Sequence, residues 1–206
     1  MIAIIDYGFG NTGSIKNMLK KLGHESVITK DYEVLSKADK LILPGVGSFD
    51  SAMQALEDCG LIDILNQLVL KDKKPILGIC LGMQLMTKSS EEGKRNGFGW
   101  IDAETVKFDF DNNQYRIPHM GWNEVSVENV SVITEGFDKT FRYYFVHSYY
   151  VKCKNQSDII LITEYCNPFV SGFKKDNIIG VQFHPEKSHR FGKKLLDNFA
   201  RMEGIC

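Results

Sequence analysis

The feature that most constrains this chain is the stretch Pro75-Ile76-Leu77-Gly78-Ile79-Cys80-Leu81-Gly82-Met83-Gln84. A short apolar run ends in Gly-x-Cys-x-Gly and passes directly into residues of helical pattern. That is the form of a nucleophile elbow, with cysteine where hydrolases carry serine. The glycines matter because a sharp turn with a strained nucleophile has no space for neighbouring Cβ atoms. Such a turn needs a strand before it and a helix after it, which places an α/β layer structure around it. It would expose the Cys80 sulfur at the sheet end and at a helix N-terminus, where the dipole favours thiolate over thiol. The Leu81 N–H would point into the same site and serve an oxyanion. The bland alternative is a buried, inert cysteine at a strand end; the flanking glycines favour the nucleophile.

The rest of the chain agrees with that layer structure. Residues 2–5, 41–43, 76–79, 159–162 and 178–181 are near-continuous runs rich in Ile, Leu or Val. Such runs suit strands covered by helices on both faces. Ile15, Met18, Leu19 and Leu22 follow an amphipathic helical spacing, with Gly23 as the stop. Residues 52–70 predict one or two helices broken near Gly60, and Phe191, Leu195, Phe199 and Met202 predict a last one. The middle differs: residues 104–110, 124–132 and 142–146 read as shorter, partly alternating strands. No linker composition or repeat divides the 206 residues, so one α/β domain with a β-rich insertion or sheet extension is expected.

A base for the cysteine is suggested by His184. It follows the strand ending Gln182-Phe183 and precedes Pro185-Glu186. Cys80 and His184 thus both fall at C-terminal strand ends, the edge where open α/β sheets hold their sites. Pro185 stiffens the turn. Glu186, two residues on, can meet the imidazole, fix its tautomer and support the imidazolium. The remaining histidines give weaker signals; His119 and His147, in aromatic-rich segments, read as hydrogen-bonded structural residues.

Other classes are excluded or weakened. With 25 Lys and Arg against 26 Asp and Glu, there is no positive field to gather nucleic acid or anionic membrane. No stretch approaches the roughly 20 apolar residues of a membrane span, and the start lacks a secretory pattern. Five cysteines without a C-x-x-C pair argue against disulfide or zinc frameworks and fit a reducing, cytoplasmic setting. Cys59, Cys153, Cys166 and Cys206 read as packing or tail residues. Gly8-Phe9-Gly10-Asn11-Thr12-Gly13 matches G-x-G-x-x-G between a strand and a helix, with Asp31 near the place of a ribose-binding acid. Taken alone, it raises a dinucleotide-binding module.

The joint pattern resolves that ambiguity. Residues 78–82 with Gln84, then Ser89-Ser90-Glu91-Glu92-Gly93, then Gly180-Val181-Gln182-Phe183-His184-Pro185-Glu186-Lys187-Ser188 resemble the class I, triad-type glutamine amidotransferases. Asp6-Tyr7-Gly8-Phe9-Gly10-Asn11, Pro44-Gly45-Val46-Gly47-Ser48-Phe49, Pro118-His119-Met120-Gly121-Trp122-Asn123 and Tyr144-Phe145-Val146-His147-Ser148-Tyr149 are similar to one branch of that family, the glutaminase subunits of imidazole glycerol phosphate synthases. These matches run from residue 6 to residue 188 and absorb the dinucleotide motif as the family's opening segment.

The resemblance implies a flavodoxin-like, three-layer α/β sandwich with a mixed, mostly parallel central sheet, as one glutamine amidotransferase domain over residues 1–206. It implies that Cys80 attacks glutamine and forms a thioester, with His184 moving protons and Glu186 orienting it. Val46 and Gly47 join Leu81 as oxyanion donors. Gln84, Glu92 and backbone of His147, Ser148 and Tyr149 hold glutamine, Glu92 supplying a carboxylate for its α-ammonium. Met120, Gly121, Trp122, Asn123 and Lys187 fall where the family meets a (βα)8-barrel cyclase/synthase, the second chain of a heterodimer that turns ammonia into imidazole glycerol phosphate and an aminoimidazole carboxamide ribotide. No metal or organic cofactor is implied. One departure is Thr87-Lys88, where the family typically has Phe-Glu; it reverses a charge after the nucleophile. The same glutaminase chemistry could feed another acceptor synthase, such as a surface-sugar amidotransferase. A cysteine peptidase and a non-catalytic module are the remaining alternatives; Gln84 with Glu92 argues against the first, and the intact Cys80, His184 and Glu186 against the second.

Overall fold

A computed structural model describes residues 1–110, 115–137 and 141–202. Cys206 therefore lies outside the described residues. The N-terminal half alternates strand and helix: β1 (Ile2–Ile5), α1 (Thr12–Lys21), β2 (Ser26–Thr29), α2 (Tyr32–Lys37), β3 (Lys40–Gly45), α3 (Phe49–Asp58) and α4 (Leu61–Asn66). A π-helical turn, Gln67–Lys71, prolongs α4, and β4 (Ile76–Cys80) and α5 (Leu81–Leu85) follow. The second half is mainly strand: β5 (Ala103–Lys107), β6 (His119–Val127), β7 (Phe141–His147), β8 (Tyr149–Cys153), β9 (Ile159–Tyr165), β10 (Asn167–Lys175) and β11 (Ile178–Val181). It ends in α6 (His189–Arg201).

The strands form one sheet in the order β2-β1-β3-β4-β11-β10-β9-β6-β7, with β8 branching from β10 and β5 pairing with β8. From β2 to β11 every pairing is parallel. From β10 outward the pairings are antiparallel. Strand alternation splits the core into two. Ala3, Ile5, Leu41 and Leu43 face α2, α3, α4 and α5, while Ile2, Ile4, Ile42, Leu77 and Ile79 face α1 and α6. Both faces of the parallel part are therefore covered, giving the expected three-layer α/β sandwich with a mixed sheet.

The expected break at Gly60 separates α3 from α4, and the helix stopped by Gly23 is α1. Residues 124–132 do not make one strand: β6 starts at His119, pairs with β7 from His119↔His147 onward, and ends at Val127. Three strands carried too weak a pattern to be read. β2 is half-buried throughout, β8 is short, and β10 contains Pro168 and a register shift around Gly172. The Asp31 side chain accepts the Val34 N–H at 3.1 Å and caps the unforeseen α2.

Candidate active site

Three neighbouring parallel strands deliver the site to one sheet edge. β4 ends in Cys80, β3 pairs Gly45 with Cys80 on one side, and β11 pairs Val181 with Ile79 on the other. The chain after β3 thus brings Val46 and Gly47 beside Cys80, and the chain after β11 brings His184. Cys80 has φ +54° and ψ −110°, a strained backbone outside the normal L-residue regions. The elbow glycines are needed for close packing: a Cβ at Gly82 would overlap the Leu43 carbonyl oxygen of β3, and one at Gly78 would lie 2.8 Å from the Gly82 oxygen. Helix α5 is only five residues long and carries Leu81 and Gln84. Thr87 and Lys88 lie beyond its end. Thr87 is fully buried and bonded to the Gln84 and Ser89 carbonyls, while Lys88 pairs with Asp102. The departure from the family pattern therefore leaves a single exposed cation, whose partner is none of the candidate site or interface residues.

The imidazole of His184 and the carboxylate of Glu186 form a buried pair, Nδ1 to Oε1 at 2.9 Å, with side chains 2% and 1% exposed. Burial, the largest effect on His184, pulls its pKa down. The charge and hydrogen bonding of Cys80 and then of Glu186 outweigh it and raise the pKa to about 10. Nε2 makes no hydrogen bond of ordinary geometry; its interaction with the Cys80 sulfur is a looser one. The backbone of His184 is clamped as well. Its N–H donates to the Tyr144 carbonyl at 2.9 Å, and its carbonyl accepts from the Ser188 hydroxyl at 2.6 Å, which in turn accepts the Tyr144 N–H at 3.0 Å.

A cavity of about 340 Å³ opens over the sulfur, within the size range of small-molecule pockets. Cys80, Leu81, Val46, Gly47, Gln84, Glu92, His147, Ser148, Tyr149 and His184 all line it, with Pro118 at its rim. Glu186 stands behind the imidazole rather than in the cavity. A larger hollow of about 750 Å³, between Asn129 and Met202, is lined by neither cysteine nor histidine, so size does not select the site.

The expected binding residues divide by what they have left to offer. Gln84 spends its amide on the Tyr149 carbonyl and Gln182 Oε1, both at 3.0 Å, so only its own oxygen faces a ligand. Glu92 Oε2 accepts the Phe49 N–H at the start of α3 at 2.9 Å, which anchors this carboxylate near the Val46–Gly47 side. Both ring nitrogens of His147 are committed: Nδ1 to the Tyr149 carbonyl at 2.8 Å and Nε2 to His119 Nδ1 at 2.9 Å. A carbonyl can only accept, so Nδ1 carries the proton, and His119 donates to His147. Desolvation lowers His119 to about 4 and His147 to about 3, so the pair is neutral near pH 7.

The segment that resembled a dinucleotide motif supports the Pro44–Gly47 turn. The Tyr7 hydroxyl donates to the Pro44 carbonyl at 2.7 Å, Gly10 packs on the Pro44 ring, and Phe9 lies under Gly47. Gly47 has φ +104°, which glycine tolerates best. Sequence reasoning gave no role to Tyr7, Gln182, Ser188 or the pairing of His119. Of these, only Gln182 left a readable signal, lying two residues before His184 just past the end of β11.

Met120 and Trp122 project from β6 and are 61% and 40% exposed. The Trp122 ring stacks on His189 and meets Tyr144 edge-on, and the Lys187 ammonium lies 5.6 Å from the Tyr144 ring centre. These residues form one surface beside the cavity. Asn123 points the other way, donating to the Glu164 carbonyl at 2.8 Å and to His119 Nε2 at 3.2 Å.

A strained cysteine at a parallel sheet edge, a buried His–Glu pair and a small cavity between them have the form of a cysteine-dependent acyl-transfer site. The chain belongs to the class-I glutamine amidotransferase family, whose model matches residues 3–202. Within it, the chain is 58% identical over 201 residues to imidazole glycerol phosphate synthase subunit HisH 2 of Methanococcus maripaludis, covering 98% of this chain and 99% of that one. It is 46% identical to HisH 2 of Pseudomonas aeruginosa and 48% identical to HisH 1 of Campylobacter jejuni (strain 81-176), covering 98% of this chain and 100% of each relative. A crystal structure titled as a glutamine amidotransferase shares the fold at 17% identity, with a TM-score of 0.75 and 97% of both chains covered.

Proposed function

We propose that this chain is the glutaminase subunit of an imidazole glycerol phosphate synthase in histidine biosynthesis, with residues 1–206 acting as one amidotransferase domain. The observation that carries this reading is the convergence of Cys80 and the His184–Glu186 pair on one cavity rimmed by Gln84 and Glu92. The Cys80 thiolate attacks the carboxamide carbon of glutamine. The oxyanion so formed is met by backbone N–H groups of Leu81 and of the Val46–Gly47 turn. Imidazolium His184 gives its proton to the leaving nitrogen, ammonia departs, and a thioester remains. His184 then takes a proton from water, the hydroxide attacks the thioester, and glutamate leaves with Cys80 restored as thiolate. Glu186 keeps Nδ1 protonated and faces the imidazolium with a negative charge. Glu92 pairs with the α-ammonium of glutamine, and the free oxygen of Gln84 accepts a hydrogen bond from it.

Ammonia released into water is protonated and loses its lone pair, so it must be handed over within a complex. The exposed Met120, Trp122 and Lys187 support docking of a (βα)8-barrel cyclase/synthase beside the cavity, as a heterodimer. Every proposed step uses protein groups and water. No described helix is long and apolar enough to cross a membrane, and we place the enzyme in the cytoplasm. The test is Cys80→Ala in the complex: glutamine-dependent synthesis is lost and ammonia-dependent synthesis retained. Glutamine use surviving the substitution refutes the assignment of the nucleophile.

A further inference from the structure

We infer that Gln182 is a positioning residue for the Cys80 sulfur, aimed by a relay of hydrogen bonds that begins at the Tyr149 carbonyl. This deepens the proposed function and rests on Cys80 being the nucleophile. Gln182 follows β11, is wholly buried, and has its backbone N–H bonded to the Ser171 carbonyl at 3.0 Å. Its side chain cannot reach water and must find partners within the fold. It finds two: Oε1 accepts from Gln84 Nε2 at 3.0 Å, and Nε2 donates to Cys80 Sγ at 3.7 Å.

The direction of each amide is dictated chemically. The Tyr149 carbonyl is an acceptor only, so Gln84 must turn its NH2 toward it. The second hydrogen of that NH2 then faces Gln182, which must present its oxygen. The NH2 of Gln182 is thereby forced toward the sulfur. Reversing any one amide would set two acceptors, or two donors, face to face in a buried site. Donation to sulfur favours thiolate over thiol and holds Sγ on the side of the cavity that His184 shares. The other titratable groups around the sulfur are His184, from beyond β11, with Glu186 behind it; Tyr7, from beyond β1; and Glu92 and His147, which line the same cavity.

A purely structural role for Gln182 would affect stability and leave the sulfur's chemistry alone. The discriminating measurement is the pH profile of Cys80 alkylation by iodoacetamide in the full-length chain, read by mass mapping of the Cys80 peptide. Gln182→Met keeps the volume and removes the donor. Its alkylation midpoint should rise by about one pH unit, the scale of a weak hydrogen bond to a charged acceptor. In the complex, kcat for glutamine should fall about tenfold with KM little changed. An unchanged midpoint overturns the proposal. Should Gln182→Met fail to fold, Gln84→Met leaves Gln182 in place but frees its orientation; a midpoint shift in the same direction supports the relay, and a wild-type midpoint overturns it. If Cys80→Ala instead retains glutaminase activity, the nucleophile assignment fails while the alkylation result still reads the Gln182 contact.

Discussion

Replacing Glu186 by glutamine removes one negative charge and almost no volume. The effect can be worked from the geometry. Oε1 lies 2.9 Å from His184 Nδ1, and the two side chains are 1% and 2% exposed, so solvent screens the pair little. A hydrogen bond to a charged group contributes about 1.5–3 kcal/mol net, and about 1.4 kcal/mol corresponds to a factor of ten, so kcat should fall about 10- to 150-fold. The second oxygen, Oε2, is buried without a hydrogen-bond partner. A glutamine that keeps its oxygen on Nδ1 must place its NH2 there, where nothing accepts it. Turned around, it confronts the Nδ1 proton and favours the wrong tautomer. Both outcomes push the loss toward the upper end. The assay is glutamate release at saturating glutamine by the complex, across the alkaline range. Because Glu186 helps raise His184, the alkaline limb of the variant should also move to lower pH. For stability, a folded-state pKa above the unfolded value of about 6.5 gives a contribution complete below that pH and lost toward about 10. The variant should show a shallower decline through that window. A wild-type kcat with only KM altered would refute the orienting role of Glu186.

The buried His119–His147 pair predicts the opposite pH trend. Both imidazoles are held neutral by burial, with values lowered to about 4 and about 3, so their contribution is complete above the unfolded value of about 6.5 and lost as pH falls from there toward about 3. Chemical denaturation from pH 7 to pH 4 should show falling stability, with a flatter slope in His119→Gln; an equal slope would refute the assignment. Gly82→Ala drives a Cβ into the Leu43 carbonyl oxygen and should cost about 1–3 kcal/mol or more, with loss of glutaminase activity as α5 is pushed off β3. Gly13→Ala, in α1 with open space around it, is the control and should be neutral or stabilising by up to about 1 kcal/mol in thermal melts.

The elbow shows how far local sequence can carry a fold and a site. Gly78, Cys80 and Gly82 demand a strained turn between a strand and a helix, and that local requirement is met in β4 and α5 with Cys80 at φ +54°. The spacing of His184 and Glu186 likewise predicts their pairing, because two residues across a proline-stiffened turn leave little freedom. Their meeting with Cys80 is not local. It depends on β11, about a hundred residues later in the chain, inserting beside β4 in parallel register. The strands that escaped sequence reading, β2, β8 and β10, are defined by their neighbours rather than by their own alternation.

By itself, then, the sequence determined the turn, the place of the candidate nucleophile, the His–Glu pair and the α/β class, because steric limits at glycine and periodic burial act over a few residues. Only the tertiary structure decided the roles of groups whose partners are distant. Asp31 became a helix cap, and the Tyr7–Gly10 segment became the support of the Pro44–Gly47 turn. Both ring nitrogens of His147 were committed to His119 and the Tyr149 carbonyl, and Gln182 was aimed at sulfur through Gln84. A buried polar group takes its function from whichever donor or acceptor the fold sets against it, and that choice is made across the sheet, not along the chain.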